Sequence, residues 1–391
     1  MVDPLPLHDP EFWAGDPYPA FAELRAHDPV HRYEGPAGSL WALARHADVQ
    51  AVSKDPTTFC SGRGVLLTDL TSTALSTASI IYKDPPEHAK HRKLVSPSLT
   101  VRRVAELEGR VRELAVDLLD AVDPSGVVDG VEALAIPLPI LVIAELLGVP
   151  KEDRDTFRTW SDAMIDAASA PTASSMRMAG ELFTYIDAIV KERHATPRDD
   201  LVSVLDHGRV DGEALSAEDI NMFVLTLLVA GNETTRTLIA NGLAVLADHP
   251  DQRAALVADP SGIPLAVEEL LRWEAPIMSF CRTATRDTRI GDTAIAEGDP
   301  VLLLYQSANR DEAVFGATAD RVDLTRDPNP HLSFGYAEHY CMGAGLARLE
   351  ARVLLEELLA RWPEYALAGP LERLPNRLVR GVRHLPLALA G

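Results

Sequence analysis

One segment limits the possible fold more than any other, because residues 331–350 read HLSFGYAEHYCMGAGLARLE. Cys341 follows an aromatic-glycine turn and precedes two glycines and a helical run of leucine, arginine and glutamate. A thiolate at this position is flanked by flexible backbone and by the N–H groups of a helix N-terminus, which stabilise negative charge. A sulfur that binds a metal through one bond needs such surroundings. A buried, inert cysteine is the usual state of a free thiol, and the loop alone leaves that alternative open.

The same segment resembles the haem-ligand loop of the cytochrome P-450 superfamily, whose iron is held by a cysteine thiolate. The match is carried by Phe334, Gly335, His339, Cys341 and Gly343. The resemblance implies that the cofactor is heme b and that Cys341 is its axial metal ligand. It also implies that Phe334 and Gly343 belong to the cofactor-binding site.

The loop departs from the family pattern at Ala337, where a second glycine is common. The turn must therefore be tolerated by a residue that carries a Cβ. The proline and phenylalanine that usually precede the loop are missing from residues 315–318 and 321–322. We expect these differences to affect the stability of the loop and the retention of haem.

The composition is that of a soluble globular protein with a large core: 391 residues, 47% hydrophobic and 24% charged. Three cysteines argue against a disulfide framework and for a reducing compartment. The first residues show no basic stretch followed by an apolar run, and no window is apolar enough to span a membrane. We therefore expect a cytoplasmic protein without a membrane anchor. The net charge of −21 argues against nucleic acid as a partner.

The hydrophobic pattern predicts a mainly α protein with small β-sheets. Apolar residues recur at three- and four-residue spacing from about 87 to 246, and short strand-like runs begin near 282. The predicted elements include helices over 19–26, 101–122 and 179–192 and strands over 39–44, 288–290, 293–295 and 300–305. The chain shows no linker or repeat, and the resemblance implies one triangular, helix-rich haem-thiolate domain over residues 1–391.

A long buried helix is predicted over residues 216–248. Ser216 and Asp219 form a capping-box signal, and His249-Pro250 is a stop signal. Its middle, residues 224–231, is apolar all round, which predicts burial on every face. Thr234 can donate to the Ala230 carbonyl one turn back, which bends helices. Ala230 and Gly231 remove side-chain bulk and leave a groove for a small ligand.

The motif Ala-Gly-Asn-Glu-Thr-Thr, residues 230–235, resembles the distal helix of the family. The resemblance implies that Glu233 and Thr234 deliver protons to dioxygen and that Ala230 and Gly231 border the cofactor. The alternative is a buried helix whose glutamate and threonine cap a neighbouring element. A buried acid and hydroxyl are costly unless they are paired or functional.

Glu269 and Arg272 lie one turn apart on a predicted short helix, so they can pair. Such a pair is usually a solvated salt bridge of little worth. In the family, the same spacing marks a buried pair that supports the haem-binding core. The third member of that set, an arginine before the cysteine loop, matches Arg321. We assign structural roles to all three residues.

Four basic residues match the family positions that bind haem propionates. His88 and Arg92 are one helical turn apart, so both can reach one anionic group. Arg282 and His339 resemble the two other donors. Carboxylates that enter a protein need such partners. Each residue taken alone is more often a surface charge, and it is the presence of all four at family positions that makes them a set.

The resemblance implies a bacterial haem-thiolate monooxygenase that inserts one atom of dioxygen into an unactivated C–H bond. The chain has no Gly-rich dinucleotide motif and no iron–sulfur cysteine set. Electrons are therefore expected from separate proteins, a ferredoxin and its reductase. The alternatives are a peroxide-driven oxygenase of the same fold and a haem-binding sensor or carrier without turnover.

The expected substrate is an apolar small molecule of the steroid, terpenoid, lipid or polyketide type, by analogy alone. We expect the pocket to be lined by Val229, Ala230, Met278, Leu378 and Val379, which are small or aliphatic. Residues 65–80 are expected to form its roof. Aliphatic residues are as often ordinary core, so each of these assignments has that alternative.

Overall fold

The computed structural model describes residues 5–36, 38–71, 79–169 and 172–389. Most of this part of the chain is helical. The α-helices within it are α1 Pro10–Ala14, α2 Tyr18–His27, α3 His46–Lys54, α4 Glu87–Val95, α5 Val101–Glu106, α6 Glu108–Asp120, α7 Pro137–Leu146, α8 Arg154–Ser169, α9 Ala173–Ala195, α10 Leu201–His207, α11 Ala217–Asp248, α12 Pro250–Ala258, α13 Ile263–Trp273, α14 Tyr305–Ala308, α15 Glu312–Phe315 and α16 Ala344–Arg361.

The strands form small sheets at the margins of the helical body. They are β1 Val30–Gly35, β2 Gly38–Leu43, β3 Phe59–Cys60, β4 Val127–Asp129, β5 Arg209–Val210, β6 Glu213–Ala214, β7 Ser279–Ala284, β8 Thr288–Ile290, β9 Thr293–Ile295, β10 Pro300–Leu304, β11 Ala366–Leu367, β12 Glu372–Arg373, β13 Val382–His384 and β14 Pro386–Ala388. The largest sheet has the order β1-β2-β10-β7-β3, and β11, β14 and β4 form a second. The predicted fold class, mainly α with small sheets, is confirmed.

The long helix α11 begins and ends where the sequence predicts. Ser216 and Asp219 bond reciprocally as a capping box, which satisfies two of the free N–H groups of the first turn. The helix ends at Asp248, and Pro250 opens α12. The first end follows from the capping hydrogen bonds and the last from Pro250, so neighbouring residues are sufficient to predict both.

The helix predicted over residues 101–122 is divided, and this prediction is wrong in detail. The chain makes a one-residue turn at Leu107 between α5 and α6. There the Leu107 N–H donates to the Val104 carbonyl at 3.1 Å, three residues back rather than four. The predicted strand over 300–305 is also one residue too long, because Tyr305 begins α14.

The main hydrophobic core brings together α6, α7, α11, α13 and α16. A second core packs the N-terminal helices against the large sheet, and a third lies on the opposite side of that sheet. The loop that carries Cys341 leads directly into α16, one of the main-core helices. Within the described ranges we find no helix with both the length and the apolar character that a membrane span requires.

Candidate functional site

The Cys341 loop is shaped by backbone hydrogen bonds. The Cys341 N–H donates to the Phe334 carbonyl at 2.8 Å, which closes the loop. Gly335 has a φ of 70° and Ala337 a φ of 56°, so two residues adopt the left-handed conformation. The Gly335 N–H donates to the Leu332 carbonyl at 2.8 Å. The turn predicted at position 337 is therefore present in the left-handed conformation, and the residue that adopts this conformation is an alanine.

The Cys341 side chain is accessible, but the space that it faces is a groove in the protein rather than open solvent. The surrounding protein raises the pKa of its thiol by desolvation. The N–H groups of Gly343 and Ala344 and the charges of Arg92 and Arg348 act in the opposite direction. These groups favour the thiolate, so the site has the means to stabilise a sulfur anion once it is paired with a cation.

Three of the four predicted propionate donors converge beside this loop. The rings of His88 and His339 lie 4.2 Å apart between centroids. Arg92 Nη1 donates to the Glu338 carbonyl at 3.2 Å, and His339 Nε2 lies 3.2 Å from Ser61 Oγ. Helix α4 thus places His88 and Arg92 against the residues just before Cys341.

Arg282 completes the same group from strand β7. Burial, followed by the charges of Arg282, His88 and Arg92, lowers the pKa of His339 to about 3. Arg282 itself is 6% exposed, and its one hydrogen bond among the described residues runs from Nη1 to the Cys281 carbonyl at 2.7 Å. Positive and donor groups therefore outnumber carboxylates here, and the set is suited to anionic ligand groups.

Helix α11 carries the acid and the alcohol at adjacent positions. Thr234 Oγ1 donates to the Ala230 carbonyl at 2.6 Å, the bond predicted from the four-residue spacing. Glu233 does not contact Thr234 and is paired with Arg236, whose Nη1 lies 3.2 Å from Glu233 Oε1. A side chain at Gly231 would meet Ile143 at 3.1 Å, so this position favours a residue without one.

The prediction that this part of α11 is buried on every face is wrong. Ala230 is exposed, and Val229, Gly231, Glu233 and Thr234 are half-buried. The helix is buried all round only further on, over residues 237–246. The middle of this apolar helix therefore has an accessible face, and this is the side of α11 on which a ligand has room to bind.

The buried pair expected on α13 is present in the structure. Arg272 donates to both carboxylate oxygens of Glu269 at 2.7 Å, and both side chains are fully buried. Arg272 Nη1 also donates to the carbonyls of Asn309 and Ala319 at 2.9 and 2.8 Å. This network joins α13 to the segment that leads into the cysteine loop.

The third member of this set was predicted wrongly. Arg321 contributes only its backbone carbonyl, which accepts from Arg272 Nη2 at 2.8 Å. The guanidinium that reaches Glu269 belongs to Arg326, with Nε 3.1 Å from Oε2. Residues 321 and 326 both precede the loop, and only the path of the chain decides which one turns inward.

One predicted pocket residue lies elsewhere. Met278 is 1% exposed, and its side chain packs in the N-terminal core. Its N–H donates to the Leu378 carbonyl at 2.8 Å, and Val379 pairs with Ile277 as an isolated bridge. Leu378 is half-buried, as is Ile277 next to Met278. The two chain segments predicted to flank the pocket are therefore adjacent, but alternation turns Met278 away.

The chain is similar to known proteins along nearly its whole length. A family model for cytochrome P450 matches residues 160–259 and 263–363. The vitamin D(3) 25-hydroxylase of Pseudonocardia autotrophica is 41% identical over 385 residues, which cover 97% of this chain and 94% of that protein. The chain belongs to the cytochrome P450 family. Members are monooxygenases, so this P450 is an oxidoreductase.

Solved structures agree with this assignment. Cytochrome P450 CYP109Q5 from Chondromyces apiculatus is 40% identical, with a TM-score of 0.87 and 97% of each chain covered. CYP109E1 from Bacillus megaterium in complex with testosterone is 31% identical, with a TM-score of 0.87, and the match covers 96% of this chain and all of that one. The predicted family and fold are confirmed.

The residues of this P450 fit the haem-thiolate cofactor of its family. A Cβ built on Gly343 would approach only the Cys341 sulfur, at 3.9 Å, so glycine leaves the sulfur uncrowded. The donor-rich group of His88, Arg92, Arg282 and His339 lies beside the cysteine loop and suits two carboxylates. The chemistry of both donor sets matches a porphyrin that carries propionates and an iron.

A cluster of charged side chains next to the cysteine loop was not predicted from the sequence. Arg348 of α16 donates to both oxygens of Glu268 at 2.6 and 2.8 Å and lies over the Phe334 ring at 4.4 Å from its centroid. His331 Nε2 lies 3.1 Å from the same carboxylate. Against the effect of burial, Arg348 and His331 lower the pKa of Glu268 to about 2. The spacing of these residues along the chain gives no signal of their contact.

Proposed function

We propose that this P450 hydroxylates an apolar small molecule, with dioxygen as the oxidant and electrons from separate redox proteins. In this proposal Cys341 would hold the iron of heme b through its thiolate, and His88, Arg92, Arg282 and His339 would hold its propionates. The observation that supports it most strongly is the convergence of the thiol and these four donors, which come from three distant parts of the chain. When bound, the haem supplies the activation of dioxygen.

Glu233 and Thr234 manage protons in this proposal. Thr234 has its own proton committed to the Ala230 carbonyl, so its oxygen is free to accept a further hydrogen bond. Glu233 is half-buried beside a cation, which keeps its carboxylate close to the pocket without leaving it unpaired. An acid and an alcohol in this order can pass protons from solvent into the pocket.

The substrate is proposed to lie over the open face of α11. Val229 and Ala230 are partly accessible on this helix, and Leu378 is partly accessible on the C-terminal segment. None of these side chains is charged, so binding is driven by burial of apolar surface at about 25 cal/mol per Å². A relative acts on vitamin D(3) and another is solved with testosterone, which favours a steroid-like molecule.

An acidic electron-transfer protein, such as a ferredoxin, fits the groove that contains Cys341. The groove has a volume of about 670 Å³. The charged side chains on its walls are Arg92, Arg348 and Arg352 together with Glu108 and Glu268, which pair with Arg352 and Arg348. Val101 at its rim is 88% exposed, and Tyr340 is 38% exposed. Arg92 is the cation of this lining that neither glutamate pairs with, and one excess positive charge beside an apolar patch favours an acidic partner. Its position next to Cys341 gives electrons a short path.

The function is tested with the purified protein, a generic ferredoxin and its reductase. We expect NADPH-dependent hydroxylation of a steroid or terpenoid from an apolar panel, and little product from hydrogen peroxide alone. A peroxide-driven oxygenase would show the reverse. A sensor or carrier would bind haem and give no product in either assay.

The role of Cys341 is tested by spectroscopy. The wild-type protein should show thiolate-type absorption in the reduced carbon monoxide complex, and Cys341→Ala should lose it. Cys281→Ala is the matched control, because Cys281 is a buried thiol of the second core. A thiolate spectrum in Cys341→Ala, or a wild-type protein without haem, would contradict the proposal.

A further inference from the structure

Two hydroxyl groups meet on the open side of α11, one turn before Ala230. Thr226 Oγ1 donates to the Met222 carbonyl at 2.7 Å, four residues back. Ser79 Oγ lies 3.0 Å from Thr226 Oγ1. Ser79 is 8% exposed and Thr226 is half-buried. The pair therefore links the residues just before α4 to the long helix within a largely apolar region.

The number of protons decides which way these hydrogen bonds run. Each hydroxyl has one proton and can accept two hydrogen bonds. Thr226 has given its proton to Met222, so the contact with Ser79 requires the Ser79 hydroxyl to donate. Both protons are then used. The Ser79 oxygen keeps its accepting capacity and, among the described residues, has no donor in contact.

The pair lies on the same face as the residues of the proposed oxygen-activating region. Thr226, Ala230 and Thr234 are spaced by four, so they lie in one row along α11. Eight residues correspond to about 12 Å along a helix. Thr226, the partner of Ser79, is thus about 12 Å from Thr234 along the helix axis, a separation that matches the length of a steroid-sized substrate.

Next to Ser79 there is room for one polar atom. Ser79 borders a cavity of about 10 Å³, which is enough for one water-sized group. Its other walls are Ile80, His91, Leu94, Leu215, Asp219 and Phe223. Four of these six walls are apolar, and the two polar ones, His91 and Asp219, already bond to Glu87 and Ser216. A group that enters the cavity therefore gains by donating to the Ser79 oxygen.

We propose that Ser79 and Thr226 form a specificity site that accepts a hydrogen bond from a hydroxyl group on an otherwise apolar substrate. The inference rests on the proposed monooxygenase function and deepens it, because it narrows the substrate class to alcohols. A ketone at the same position accepts hydrogen bonds only and would have to take the proton that Ser79 gives to Thr226. The site therefore distinguishes a hydroxyl from a carbonyl or an ether of equal size.

The test compares three probes that differ at one atom group: a 3-hydroxysteroid, its 3-ketone and its 3-methyl ether. Affinity for the haem-loaded protein is measured by spectral titration and, independently of the haem spectrum, by calorimetry. A second series uses dodecanol and its methyl ether. We expect the alcohol to bind about 3- to 10-fold more tightly than its counterparts, the effect of one net hydrogen bond.

Two variants and a control locate the effect. Ser79→Ala and Thr226→Val should each reduce the preference for the alcohol to less than about 2-fold. Thr184→Val is the control, because Thr184 also donates to the carbonyl four residues back, but on the exposed side of α9. This variant should keep the wild-type preference.

Equal binding of alcohol and ether in both wild-type series would overturn the proposal, as would a preference that survives in both site variants. The first result is expected if a water molecule occupies the cavity permanently. Neither result contradicts the proposed function. That function is contradicted if the thiolate spectrum or the NADPH-dependent product is missing. The same protein samples therefore test the specificity site and the monooxygenase function separately.

Discussion

Ala337 shows how much one methyl group matters in the cysteine loop. Its φ of 56° lies in the left-handed region, where an L-residue with a Cβ is strained by roughly 1–2 kcal/mol. Glycine reaches this conformation without the clash, although it loses more freedom on folding. Relief of the clash is the larger of the two effects.

We predict that Ala337→Gly stabilises the haem-loaded protein by about 0.5–1 kcal/mol and slows haem transfer to an acceptor protein. Urea unfolding and the rate of haem loss measure the two effects. Ala255→Gly in the exposed part of α12 is the opposite control and should cost about 1 kcal/mol. Destabilisation by both changes would show that the loop does not strain its alanine.

Glu350 is a buried acid without a hydrogen-bond partner for Oε2 among the described residues. It lies on α16 and is 2% exposed. Burial alone raises the pKa of this carboxyl to about 8. The group is therefore protonated at neutral pH in the folded chain, although it ionises near 4.5 when exposed.

The sign of the resulting pH dependence follows from linkage. Between pH of about 4.5 and about 8 the unfolded chain gives up this proton and the folded chain keeps it. The folded state therefore loses stability by up to about 1.4 kcal/mol per pH unit over this range. Glutamine has no proton to lose, so Glu350→Gln should gain stability relative to wild type as the pH rises from 5 to 8. Urea midpoints at several pH values test this, with Glu213→Gln on an exposed hairpin as control.

At the scale of elements, the ends and internal hydrogen bonds of α11 can be predicted from the sequence, whereas the burial of its faces cannot. The capping box and the bond from Thr234 to the Ala230 carbonyl are local and follow from spacing. The pairing of Glu233 with Arg236 is also local, at three residues. Which face of the helix opens on a cavity depends on the elements packed around it.

We predict that Thr234→Ala uncouples the enzyme. NADPH consumption should continue while product formation falls by about 10²–10⁴ and peroxide accumulates, because a positioned proton-transfer group is lost. Substrate affinity should change little. Thr234→Ser, which keeps the hydroxyl, should restore most of the coupling. Unchanged coupling in Thr234→Ala would exclude this residue from proton delivery.

At the scale of the whole molecule, charge is distributed unevenly. The net charge is −21, yet the groove beside Cys341 is bordered by three arginines and only two glutamates. Arg102, next to Val101 at the groove rim, is 88% exposed and contacts Glu106. The negative net charge repels acidic proteins from most of the surface. The arginine-bordered groove is therefore the favourable place for an acidic protein to dock.

Arg102→Glu should slow reduction by an acidic ferredoxin several-fold at low salt, and the difference should shrink as salt screens the charges beyond about 10 Å. Stopped-flow reduction under carbon monoxide measures the rate. Arg32→Glu on β1 is the control, since Arg32 is also exposed and paired with a glutamate. Equal slowing by both variants would mean that net charge, and not the groove, controls docking.

Interactions between residues that are close in the sequence determined much of the local structure of this protein. The family was predicted from short motifs. The cysteine loop, the ends of α11, the hydrogen bond of Thr234 and the pair of Glu269 and Arg272 were predicted from residues that lie within one or two turns of each other. Such interactions repeat wherever the same spacing occurs, so they can be predicted from the sequence.

Only the tertiary structure decided which residues meet across distant segments. It placed Arg326 rather than Arg321 on Glu269, turned Met278 into the N-terminal core, and brought Ser79 to Thr226 across 147 positions. It also left Glu350 in an apolar interior. These outcomes depend on how helices and strands pack, and side-chain direction at a given position changes with the path of the backbone. The spacing of residues along a chain carries no record of that path.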